Sequence, residues 1–140
     1  MGQDDFTRWH PSYSVGNWML DCQHKVILDL FRDAIQNVPS DNPGVSSRFN
    51  AIQTDLLDSV KAHFETEESL LCRCRYAQLE IHRDEHRVFN RKLENVLAST
   101  IAGKVKEQDL RCFLSRWWFD HVLESDSAFA ASIQRVPIDC

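Results

Sequence analysis

The chain has 140 residues, 43% hydrophobic and 26% charged, with four glycines and four prolines. That is the make-up of one globular domain rich in helix-forming residues. Its formal net charge of −5, with no cluster of lysine and arginine, argues against a phosphate-backbone partner, so no nucleic acid is expected.

No run approaches the roughly 18 apolar residues of a membrane span. The opening Met1-Gly2-Gln3-Asp4-Asp5-Phe6 has neither the basic region nor the apolar run of a signal peptide. A cytoplasmic protein with no membrane partner is the expectation.

In chain order, residues 1–17 read as an extended arm punctuated by Pro11 and Gly16. Asn17 is placed to cap a helix over residues 18–38, whose apolar stripe runs Leu20, Ile27, Leu28, Phe31, Ile35, Val38 and includes His24. The Pro39–Gly44 stretch breaks the chain. A second helix, over residues 46–72, carries Phe49, Ile52, Leu56, Val60, His63, Glu67 and Leu70 on one face; its apolar stripe turns polar at two positions and then apolar again. A third, over residues 77–99, aligns Leu79, His82, His86, Phe89, Leu93 and Val96, and a fourth, over 107–124, aligns Leu110, Phe113, Trp117 and His121. Residues 127–140 form a tail. Four amphipathic segments with short connections predict an all-α, antiparallel up-down-up-down four-helix bundle in a single domain over residues 1–140.

Residues four apart share a helix face, so His63 pairs with Glu67 and His82 with His86. One histidine on an apolar stripe is ordinarily a core residue hydrogen-bonded to a carbonyl. Five of the six histidines on such stripes are a different matter, because each unpaired buried polar group costs several kcal/mol. Coordination of a metal ion removes that cost. In an antiparallel bundle His24, His63, His82, His86 and His121 all fall near one end, with Asp126 just beyond. His10 lies in the arm and is not expected to join them.

Five imidazoles and two carboxylates are too many donors for one ion. Two ions of about six-fold coordination offer about twelve positions. The imidazoles fill five, two bridging carboxylates four and a bridging oxide or hydroxide two, which leaves one open. The donor mix suits iron, with manganese, cobalt and zinc as chemical alternatives. His121 and Asp126 stand about 140° apart on a regular α-helix, so both reach such a centre only through a π-turn or a helix end between them. The cysteines (Cys22, Cys72, Cys74, Cys112, Cys140) are odd in number, and Cys72-Arg73-Cys74 matches neither zinc-ribbon nor thioredoxin spacing. They read as reduced, mostly structural thiols.

With these residues in place, the pattern resembles the hemerythrins, specifically the single-domain bacterial ones. The likeness extends to Trp9, Val15-Gly16, Asp21-Cys22-Gln23-His24-Lys25, Phe64, Glu68, Tyr76 and Trp117, and covers about residues 9–129. It implies a non-haem di-iron centre: two iron ions, Fe2+ or Fe3+, with a bridging oxide or hydroxide, binding O2 reversibly.

By matching positions, His82, His86 and His121 would hold one iron and His24 and His63 the other, which keeps the open position. Glu67 and Asp126 would bridge them. Ile27, Phe64, Trp117, Trp118 and Val122 correspond to the O2 pocket, with Trp118 where the family usually has leucine. The resemblance therefore implies an oxygen carrier or store rather than an enzyme, with NO and peroxide as other small ligands. The alternative is an O2 or redox sensor acting through a protein partner. A di-iron oxidase or peroxidase fits less well, since those bundles more often carry carboxylate-rich Glu-x-x-His sets.

Overall fold

Four helices follow one another in the computed structural model, which describes residues 5–39 and 43–126, and only the backbone of 43–46 and 123–126. The predicted tail 127–140, with Cys140, lies outside the described residues. Helix α1 spans Trp18–Gln36, α2 Pro43–Arg73, α3 Leu79–Ile101 and α4 Glu107–Trp117, and α4 runs on as a π-helix over Trp118–Asp126. The described residues contain no strand, and the fold is the expected all-α four-helix bundle. Helix α1 packs along α2 and α2 along α3, while α4 closes against α1 and, over a shorter stretch, against α3.

The starts and stops have local causes. The Asn17 side chain accepts from Leu20 N at 3.0 Å and caps α1. Helix α1 stops at Gln36 rather than at Val38, where the Asn37 side-chain amide donates to Asp33 O at 2.7 Å. Helix α2 starts earlier than the expected residue 46, with Pro43 in its first turn, where a missing N–H costs nothing. The arm is not extended throughout, as the sequence suggested: Pro11–Tyr13 form a 3-10 turn, capped by His10 Nδ1 accepting from Ser12 N at 3.1 Å. Asp21 fastens this arm to α1, accepting from Val15 N at 2.9 Å and from Ser14 Oγ at 2.6 Å.

Both described interhelix turns after α2 and α3 use the same device. Tyr76 N donates to Leu71 O at 3.0 Å and Arg75 N to Cys72 O at 3.1 Å, the double closure of a Schellman motif. Tyr76 and Leu71 share a small apolar cluster, the contact that accompanies it. After α3, Lys104 N donates to Ser99 O at 2.9 Å and Gly103 N to Thr100 O at 3.0 Å. The residue between the two closures must be left-handed. Gly103 takes φ +80 without strain, but Arg75 takes φ +54 with a side chain attached.

The bundle has two unlike halves. At one end Phe31, Phe49, Leu56, Leu93, Leu97 and Leu110 are completely buried, each worth roughly 1.5–3 kcal/mol over exposure. At the other end the same helix faces carry His24, His63, Glu67, His82, His86 and His121, all buried. The apolar half holds the helices together so that the polar half can be exact in its placement. No helix among the described residues is long and apolar enough to cross a membrane.

Because Arg75 bears strain that glycine does not, Arg75→Gly should raise the free energy of unfolding by about 1 kcal/mol. The gain is expected as a higher urea midpoint at constant slope. An unchanged or lower midpoint would show that the Arg75 side chain repays its conformation.

Candidate metal centre

Glu67 stands where four helices converge. Its Oε1 lies 2.6 Å from His82 Nε2 and 2.9 Å from His86 Nε2, both from the first turns of α3. Its Oε2 lies 3.2 Å from His63 Nε2, one turn earlier on α2, and His63 Nε2 is 2.9 Å from His24 Nε2 on α1. His121, from the π-helical end of α4, completes the first set. Glu67, His82, His86 and His121 form one group, and His24, His63 and Glu67 another, with the donor atoms in each within 4.8 Å of one another. One carboxylate therefore belongs to both groups, an oxygen to each.

The outer ring nitrogens have partners that fix the tautomers. His86 Nδ1 is 2.7 Å from Glu68 Oε2 and His121 Nδ1 is 2.8 Å from Glu85 Oε2. A carboxylate only accepts, so both Nδ1 atoms carry the proton. His63 Nδ1 is 2.8 Å from Gln23 Oε1. The amide of Gln23 is oriented by its other end, which donates to Thr66 Oγ1 at 3.2 Å while that hydroxyl donates to Ala62 O at 3.0 Å. His63 too therefore donates outward. Neutral, all three rings then turn a lone pair of Nε2 inward.

Those lone pairs meet a buried anion. Burial favours the neutral form of Glu67, but hydrogen bonds and positive charge from His63, His82 and His86, when their inner nitrogens are protonated, more than reverse this and hold its carboxyl well below the usual carboxylate range. With those rings neutral instead, and their protons outward, ionised Glu67 faces nitrogen lone pairs across 2.9 Å at His86 and 3.2 Å at His63. Acceptors at such distances repel unless positive charge lies between them. Among the described residues, Glu67 Oε2 and His86 Nε2 have no hydrogen-bond partner. Converging imidazole and carboxylate lone pairs fit divalent cations. The donor chemistry passes that test without a thiol: among the described residues Cys22, Cys72, Cys74 and Cys112 form no disulfide and join neither group.

The α-helical geometry of α4 stops at Trp117, short of the expected residue 124. The π-helix that replaces it follows an i→i+5 pattern, which brings residues five apart close to one face. This is the departure that the His121–Asp126 spacing requires. The backbone of Asp126 ends the π-helix, while its carboxylate lies outside the described residues.

The five residues matched to the O2 pocket are buried but distribute themselves over both groups. Phe64 stacks on His86 at 3.7 Å between ring centroids, and Trp117 stacks on His121 at 5.3 Å. Trp118 meets His24 edge-on at 5.5 Å and is itself met edge-on by Tyr13 of the arm at 5.2 Å. Tyr13 is tied down by its hydroxyl, which donates to Phe6 O at 3.0 Å. Ile27 and Val122 belong to the same apolar cluster. On the opposite side, an open groove of about 890 Å³ between α3 and α4 ends at Glu85, Trp117 and His121.

Of the residues singled out from sequence, His24, His63, Glu67, His82, His86 and His121 come together, and His10 stays in the arm, bonded to Ser12 at 2.7 Å. Sequence reasoning did not assign roles to Gln23, Glu68 and Glu85. Their signal was adjacency: each stands beside a candidate ligand in the chain, so it leaves the helix about 100° away and meets a ligand of a neighbouring helix.

Comparison with known proteins points the same way. A family model described as the hemerythrin HHE cation-binding domain matches residues 15–132. A bacteriohemerythrin from Stenotrophomonas maltophilia is 24% identical over 127 residues, covering 90% of this chain and 80% of that protein. A hemerythrin-like protein from Naegleria gruberi is 27% identical over 121 residues, covering 86% and 88%. The crystal structure of wild-type hemerythrin superposes with a TM-score of 0.77 at 23% identity, over 90% of this chain and 96% of that one, which bears on the fold alone.

If Glu67 serves both groups, Glu67→Gln should lower the divalent metal held after gel filtration from two ions per chain to one or none, while far-ultraviolet circular dichroism keeps its helical amplitude. Two ions retained by this variant would contradict a shared carboxylate.

Proposed function

We propose, since the chain belongs to the hemerythrin family of HHE cation-binding domains, that it holds two iron ions and binds O2 reversibly, as a cytoplasmic carrier or store. The observation that carries this reading is the division of Glu67 between two histidine groups. His82, His86 and His121 would hold one iron, His24 and His63 the other, with Glu67 and Asp126 shared. Bound there, a pair of irons with a bridging oxide or hydroxide supplies the electrons for O2 and one open coordination position.

The chain's own residues do the rest. Trp118 roofs His24, and the arm holds Trp118 down through Tyr13. Ile27, Trp118 and Val122, all buried, exclude water from the two-histidine side, and Phe64 does so between the two groups, stacked on His86. Without water, protons that would release a reduced form of O2 are scarce there. The outward N–H bonds of His63, His86 and His121 direct the Nε2 lone pairs inward, where they can be donated to a metal. Neutral imidazoles outnumber carboxylates, which supports binding O2, or NO and peroxide in competition, over cleaving it.

The test is anaerobic loading with ferrous iron followed by an optical spectrum on admitting air. A charge-transfer band that appears with air and vanishes under argon over repeated cycles is expected. Irreversible bleaching or a permanent ferric spectrum after one exposure would contradict a carrier.

Trp118→Leu should open the roof and raise the O2 association or autoxidation rate severalfold, read by stopped-flow absorbance. Rates equal to those of the unaltered protein would show that the indole does not limit access.

A further inference from the structure

The two histidine groups differ in what stands behind them. His86 and His121 each donate to a carboxylate, Glu68 at 2.7 Å and Glu85 at 2.8 Å. His63, in the other group, donates to the neutral amide of Gln23 at 2.8 Å. A carboxylate behind an imidazole pulls its proton outward and makes the inner nitrogen a stronger electron donor, and an amide does so much less. Glu68 shares its charge with Arg83, whose Nε lies 3.4 Å from Oε1. Glu68 is about a quarter exposed and Glu85 about two-fifths, so both sit at the rim, where they can be changed without opening the core.

The three residues are independent of one another in position. Gln23 reaches across from α1 to α2, Glu68 from α2 to α3, and Glu85 from α3 to the end of α4. Each thus ties a candidate ligand to the preceding helix, and each sets the donor strength of one imidazole. We propose that Glu68 and Glu85 are positioning residues that make the three-histidine group the tighter of the two metal positions, and that Gln23 keeps the two-histidine group the looser. The looser position is the one roofed by Trp118, so the ion with weaker donors lies on the enclosed side and the ion with charge-backed donors at the open groove. This rests on the two-metal reading above and adds an order of release to it.

The experiment uses the whole chain, loaded anaerobically with two ferrous ions and challenged with an excess of a ferrous chelator, release being followed by absorbance. The unaltered protein should lose its iron in a fast and a slow phase of equal amplitude. Glu85→Gln should speed the slow phase by about 10–100-fold and leave the fast phase alone, and Glu68→Gln should also speed the slow phase alone. Gln23→Glu should slow the fast phase alone, an effect that a damaged fold would not produce. Release at unaltered rates in both Glu85→Gln and Gln23→Glu, or a change in the wrong phase, overturns the proposal. A chain that never takes up a second iron overturns the two-metal reading itself.

Discussion

A single ionised carboxylate, sealed from water at the meeting point of four helices, sets the terms for this molecule. Glu67 is completely buried, and an unpaired charge in such a place costs several kcal/mol. Its two oxygens divide the surrounding imidazoles, His82 and His86 on one side and His63 on the other. Placing those rings to within a few tenths of an ångström requires α2 and α3 to meet at a fixed depth. That depth is set by the tight turn through Arg75, whose left-handed φ of +54 is the local cost of the register.

The division of labour along the bundle follows. The helices bury leucine and phenylalanine at one end and histidine at the other, so one half supplies cohesion and the other chemistry. In the chemical half, His63, His86 and His121 are locked with their protons outward. Lone pairs converging on an anion are a poor core and a good cation site, which couples folding of this end to metal binding. Access is uneven as well. The His24 side lies under Trp118 and the fastened arm, whereas the His121 side borders an open groove.

The fold was legible because its signals are periodic: apolar residues three and four apart, Asn17 as a cap, and Pro and Gly at the breaks. The histidines were legible for the same reason, since they replace apolar residues on stripes whose direction was already known. Even the π-helix was foreshadowed by a spacing of five between His121 and Asp126 that no α-helix can serve. The 3-10 turn at Pro11–Tyr13 was not visible, because it rests on a few local bonds around His10 that leave no periodic signal. Nor were the partners Gln23, Glu68 and Glu85, whose roles arise only when neighbouring helices are brought face to face. Trp117, matched to a pocket by resemblance, stacks its ring on His121 of the three-histidine group, a placement the sequence did not carry. Which wall an aromatic residue forms depends on how helices rotate against each other, and no one-dimensional pattern records that.

The most direct test of a paired metal centre is anomalous X-ray diffraction at the iron edge from crystals of the iron-loaded chain. Two peaks should flank Glu67, one bounded by His24 and His63 and the other by His82, His86 and His121. A lone peak, or peaks remote from Glu67, would contradict it.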